Sequence, residues 1–160
     1  MQAVNPIPAL TSTQSSACTC FKLRSLTRRV TQLYDQTLAP SGLKVTQYSL
    51  LANARRRPGQ PAPTLSELAQ KLFTDRTTLT RNLKPLADAG YVDVISGADA
   101  RSKAVVVTAA GEAALLAARP MWRAAQLRLR ELAGTERVEV LHDLVDAMLL
   151  QLDAPDTDEE

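Results

Sequence analysis

Two arginines, two threonines and a lysine crowd one short segment, at Arg76, Thr77, Thr80, Arg81 and Lys84. Guanidinium and ammonium groups pair with phosphate, an arginine fork matches the acceptor edge of guanine, and hydroxyls bond either phosphate or base. Leu79, Leu83 and Leu86 recur between them at helical spacing. A helix here would turn its leucines to a core and leave the five polar residues on the outside. A second basic cluster follows at Asp99, Arg101 and Lys103, inside the stretch Gly97–Lys103. The flanking segments Tyr91–Ile95 and Ala104–Val107 alternate and branch like paired strands, so this stretch reads as the loop of a hairpin. A hairpin tip carrying Arg101 and Lys103 suits a minor groove, whose negative potential attracts cations.

The surrounding elements must hold these two clusters in place. Thr74 or Asp75 can cap the polar helix by accepting a backbone N–H bond. Pro85 is expected to kink that helix or end its regular part, and Gly90 is its stop signal. Upstream, Thr64-Leu-Ser-Glu67 has the spacing of a capping box and opens a short helix through Leu68 and Leu72. Pro58–Pro63 is a loop, with a short edge strand available at Ala62–Thr64. Helices are expected from Ala17 to Leu38, from Thr46 to Arg56, and from a Thr108 cap to Ala133 with a break or bend at Pro120. A last amphipathic helix follows Gly134-Thr135. Its stripe of Val138, Leu141, Leu144, Val145, Met148, Leu149 and Leu152 is too apolar to leave in water.

This order predicts a mainly α chain: a winged helix-turn-helix over residues 45–108, and a helical dimerisation layer over 17–44 and 109–152. Residues 1–16, rich in Pro, Ser, Thr and Gln, and the acidic residues 153–160 are expected to be disordered tails. The apolar stripe of the last helix and the long first helix need a covering surface, and the simplest is a second copy of the chain.

The bulk figures agree. The net charge of +2 conceals an asymmetry, because the last eight residues hold five acids and no base, leaving +7 on residues 1–152. A cationic body fits a polyanionic partner. No apolar run approaches the ~20 residues of a membrane span, and no secretory signal opens the chain. Two cysteines make no disulfide framework, so a reducing cytoplasm is the expected setting.

Taken together, the segments Thr74–Leu83, Leu86–Val92 and Asp99–Glu112 resemble the MarR family of bacterial transcriptional regulators, and the resemblance extends from about Cys20 to Leu152. Val107-Thr108 stands where the family usually has Leu-Thr. The resemblance implies a homodimer on a pseudo-palindromic operator in double-stranded DNA, with recognition helices in successive major grooves and wings alongside. It implies that Arg76, Thr77, Thr80 and Arg81 face the groove, and that the Asp99 carboxylate steadies Arg101 over the minor groove. Family members usually repress, and leave DNA when a small aromatic or phenolic acid binds or when a cysteine is oxidised.

The sensor is less sharply written. A pocket for a small aromatic carboxylate is expected between the dimer helices and the DNA-binding lobe, with Arg24, Arg28, Tyr34, Gln47, Tyr48 and Trp122 as candidate lining. Such pockets are apolar with a few oriented polar groups, and an inward arginine would hold the carboxylate as a fork. The alternative is a thiol sensor at Cys20: Cys20-Phe21 with Tyr34 is similar to the organic-hydroperoxide-sensing branch, although Arg24 and Val45 replace two members of its hydrogen-bonded cage. In that branch tyrosines lower the thiol pKa. Metal binding has no support, since Cys18 and Cys20 would point about 200° apart on a helix and His142 is remote in sequence. No cofactor or enzyme motif is present. A winged-helix module that binds protein in place of DNA is the remaining alternative.

Overall fold

The computed structural model describes residues 18–56, 58–97 and 102–152. The predicted tails, Arg57, Asp99 and Arg101 lie outside the described residues. The chain runs α1 (Thr19–Leu38), a 3₁₀ turn (Ala39–Ser41), α2 (Val45–Ala54), α3 (Leu65–Lys71), α4 (Arg76–Asp88), β1 (Val92–Ser96), β2 (Lys103–Val107), α5 (Ala109–Ala133) and α6 (Thr135–Leu152). It is mainly helical, with a two-stranded antiparallel sheet, as expected of a winged helix-turn-helix.

Local chemistry accounts for where the elements start. Thr64 Oγ1 accepts the Glu67 N–H at 3.2 Å while Glu67 Oε2 accepts the Thr64 N–H at 2.7 Å, closing the capping box of α3. Asp75, rather than Thr74, caps α4: its Oδ1 accepts the Thr78 N–H at 2.8 Å. At the far end of α4, Gly90 takes the left-handed conformation with φ 72°, and the Tyr91 N–H bonds the Leu86 carbonyl at 2.8 Å. Asp35 of α1 reaches across to the start of α2, where its Oδ1 accepts the Val45 N–H at 2.7 Å. That bond ties the first helix to the helix-turn-helix lobe.

Of the two outcomes expected at each proline, a bend or a break, the break does not occur. Pro85 does not end α4, which continues to Asp88, and Pro120 does not interrupt α5, which runs unbroken to Ala133. Each ring removes one N–H and orphans the carbonyl four residues earlier, Arg81 and Leu116 respectively. Both residues are exposed, so water can take the orphaned carbonyls and the helix survives.

A single core gathers Leu38, Leu43, Tyr48, Leu50, Leu51 and Ala54 with Leu65, Leu68 and Ala69 of α3, Leu79, Leu83 and Leu86 of α4, Val92 and Val105 of the hairpin, and Leu115 and Ala118 of α5. Burying each leucine or valine contributes on the order of 1.5–3 kcal/mol. The hairpin pairs Val92 with Val107 through to Ser96 with Lys103, and Thr64 adds an isolated bridge to Ala104, which fulfils the expected edge strand. Its base is fastened by Thr108, whose Oγ1 donates to the Gly90 carbonyl at 2.6 Å and accepts the Gly111 N–H at 3.1 Å. Gly111 is required here, because a Cβ would overlap the Tyr91 carbonyl oxygen.

Candidate nucleic-acid interface

The leucine face of α4 is buried, so the helix cannot rotate, and its polar residues are fixed outward. Arg76, Thr77, Thr80, Arg81 and Lys84 line one concavity of about 830 Å³, together with Lys103 and Val94 of the hairpin. Thus six of the eight residues expected to meet DNA share one surface, and Asp99 and Arg101 lie outside the described residues. Strand register explains how the hairpin contributes. Directly paired residues of an antiparallel ladder share a face, so Val92, Val94 and Lys103 stand on the same side as Val105. Near the hairpin base that side packs on the core through Val92 and Val105; farther out it becomes the wall of the concavity.

The surface is cationic and open. Among the described residues Arg76, Arg81 and Lys103 make no ion pair, whereas Lys84 Nζ lies 2.8 Å from Asp88 Oδ2. The Thr80 hydroxyl donates to the Arg76 carbonyl at 2.8 Å, which leaves its lone pairs outward as an acceptor for base amino groups. Hydrogen bonds from the Thr78 side chain and backbone hold the Asp75 carboxyl below its ordinary pKa, so the cap stays ionised beside the positive end of the helix. Asp88 and the apolar lining of Leu65, Leu83, Ala87 and Val94 were not anticipated from sequence. The Lys84–Asp88 spacing of four residues was the available signal.

The six residues expected to line an effector pocket are spread over α1, α2 and α5, and of them only Arg28 borders one of the two concavities described. Arg24 and Arg28 are exposed on α1, and Arg28 borders a groove of about 550 Å³ made by Thr27, Thr31, Gln32, Asp35, Gln36 and Ala39. Gln47 spends its Oε1 on the Lys44 N–H at 2.9 Å, at the start of α2. Tyr34 is buried; desolvation raises its phenol pKa, with Arg130 opposing. Tyr48 stacks on Trp122 with ring centroids 5.6 Å apart. Burial raises the Tyr48 pKa too, and Arg119, Arg123 and Arg55 oppose that shift. These arginines were missed in sequence, although Arg119 and Arg123 bracket Trp122 one helical turn apart.

Cys18 and Cys20 are both exposed at the start of α1. Tyr34 lies 14 residues farther along the same helix, roughly 21 Å at 1.5 Å per residue, so the two cannot bond within one chain. Among the described residues no group of His, Cys, Asp and Glu is placed to hold a metal ion, and no helix is long and apolar enough to cross a membrane.

Comparison with known proteins places this geometry. A family model described as MarR family matches residues 41–102. The chain is similar to the transcriptional regulator MosR of M. tuberculosis, solved in complex with DNA: 39% identity over 83% of this chain and 97% of that one, with a TM-score of 0.69. It shares its fold with CouR of Rhodococcus jostii RHA1, solved with p-coumaroyl-CoA, at 22% identity, 90% and 96% coverage and a TM-score of 0.66. It likewise shares the fold of apo MarR from E. coli, at 20% identity, 84% and 99% coverage and a TM-score of 0.64. No curated protein sequence matches the chain.

Proposed function

The chain belongs to the MarR family of transcriptional regulators, and from that premise we propose that it is a homodimeric, sequence-specific DNA-binding repressor that a small aromatic or phenolic carboxylate releases from its operator. The observation that carries the DNA-binding part is the shared concavity of Arg76, Thr77, Thr80, Arg81, Lys84 and Lys103. In this reading α4 enters the major groove, Arg76 and Arg81 take phosphate or guanine, and the threonines take base edges. Asp99 and Arg101 complete the contact from the wing, as the family resemblance implies. Two subunits would place their recognition helices about 34 Å apart, one turn of duplex, on a pseudo-palindromic site. The test is fluorescence anisotropy with a duplex selected from a random pool. Where Arg81 meets phosphate, Arg81→Ala is expected to flatten the dependence of log K on log salt by about 1.8, two contacts per dimer. Failure to select any duplex removes the reading in favour of a protein-binding winged helix, whereas an unchanged slope removes only the Arg81–phosphate contact.

For the effector, the stacked Tyr48–Trp122 pair beside Arg119 and Arg123 supports an aromatic carboxylate better than the Arg24/Arg28 face does. The half-buried Trp122 ring, backed by the buried Tyr48, offers an apolar edge, and a guanidinium supplies the fork for the carboxylate. Salicylate should raise the melting temperature, because a ligand of the folded state stabilises it by mass action. Arg123→Gln should abolish the rise. The thiol alternative is supported by the exposure of Cys20 to a soluble oxidant. Under that alternative cumene hydroperoxide releases the DNA, Cys20→Ser blocks the release, and salicylate has no effect.

A further inference from the structure

One ridge of α4 carries Thr77, Arg81, Lys84 and Asp88, spaced four, three and four residues apart and turned away from the buried leucines. The first three border the cationic concavity. Asp88, the last residue of the helix, is an acid on the side offered to a polyanion. Its Oδ2 accepts a bond from Lys84 Nζ at 2.8 Å, and both side chains are well exposed. Helix physics does not explain an acid at this position. The C-terminal end of a helix is its negative pole, which repels a carboxylate. The order of lysine before acid at a spacing of four is also the weaker arrangement for a helical pair. The last turn of α4 holds no basic residue to compensate.

We propose that Asp88 limits the DNA affinity of the recognition helix by holding Lys84 in a charge-neutral pair. This deepens the DNA-binding reading above and rests on it. Counterion release counts each cation delivered to a phosphate, and that gain is independent of sequence. A lysine already matched by a carboxylate on the same ridge delivers no net charge. The helix then presents Arg76 and Arg81 to the duplex, while the Lys84–Asp88 pair adds contact without adding electrostatic affinity. Binding to unrelated DNA is thereby kept weak, and contacts to base edges make up a larger share of the total.

The test compares wild type, Asp88→Asn, Lys84→Gln and the double variant, each as the full chain, on a mixed-sequence duplex of roughly 30 bp, long enough for two half-sites. The slope of log K against log salt is the readout. Asp88→Asn should steepen the slope by about 1.8 for the dimer, one additional phosphate neutralised per subunit, and tighten binding several-fold at the lowest salt. In the Asp88→Asn background, Lys84→Gln should remove that same increment, because Lys84 is the cation that Asp88 holds. Both side chains are exposed, so all variants should melt cooperatively within a few degrees of wild type, Asp88→Asn slightly higher. Wild-type binding with an unaltered slope in Asp88→Asn overturns the proposal. So does an Asp88→Asn increment that survives Lys84→Gln in the same chain. Absence of any wild-type binding, even at the lowest salt, overturns the DNA-binding reading itself and this proposal with it.

Discussion

Phe73 occupies the turn between α3 and α4 with φ 49°, a left-handed conformation in a residue that is not glycine, and its ring is 63% exposed. The conformation costs roughly 1–2 kcal/mol in an L residue, and an exposed ring regains little by packing. The turn needs it nonetheless, because the Phe73 and Thr74 N–H groups bond the Gln70 and Ala69 carbonyls at 3.1 and 3.0 Å. Glycine adopts this conformation freely but loses more chain entropy on folding. Phe73→Gly should therefore stabilise the protein by about 0.5–1 kcal/mol, seen as a higher urea midpoint at unchanged m-value. A lower midpoint would mean that the ring makes contacts that outweigh its backbone strain.

Caps govern the elements of the DNA-binding lobe, and two of the cap residues titrate. Bonds from Thr64 hold the Glu67 carboxyl below its ordinary pKa, as bonds from Thr78 do for Asp75. A depressed carboxyl pKa in the folded state contributes stability that is complete above the ordinary carboxyl range. That contribution fades as pH falls through the lowered values. Acid should thus loosen α3 and α4 together. Unfolding midpoints measured between about pH 6 and pH 3 should fall less steeply in a Glu67→Gln, Asp75→Asn double variant, whose amides keep acceptors but do not titrate. Equal acid slopes in both proteins would exclude the caps as the source. Both caps were legible in sequence because capping is local: donor and acceptor sit three residues apart. The fates of Pro85 and Pro120 were not, since they depend on which side of each helix the tertiary structure exposes.

The whole molecule leaves a large apolar surface uncovered. Phe21, Leu23 and Leu26 of α1 are exposed, as are Val140, Leu144, Val145, Met148, Leu150 and Leu152 of α6, where Val138 alone is buried. Patches of this extent mark an interaction surface. Since α1 and α6 flank the lobe that carries α4, a second copy seated there would pair two recognition surfaces. Sedimentation at micromolar concentration should show a dimer, and Leu144→Glu with Met148→Glu should shift it to monomer and weaken DNA binding, because each half-site would then be bound singly. A monomeric wild type would refute the pairing.

Short-range pattern was enough to order this chain. Leucine spacing, the capping box of α3, the Asp75 cap, Gly90 and the β-branched runs of the hairpin specify a helix-turn-helix with a wing, and they specify that Arg76, Thr77, Thr80, Arg81 and Lys84 lie opposite the core side of α4. Periodicity and capping act over a few residues, so a linear reading suffices for them. Which distant groups meet was settled only by packing. Lys103 joins α4 because strand register turns one face of the hairpin from core to concavity. Tyr48 meets Trp122, 74 residues later, because α2 and α5 share the core, while Gln47, which sequence grouped with them, caps the start of α2 and Arg24 and Arg28 stand exposed on α1. Contacts between segments far apart in the chain depend on how whole elements fill a common interior, and no local pattern encodes that.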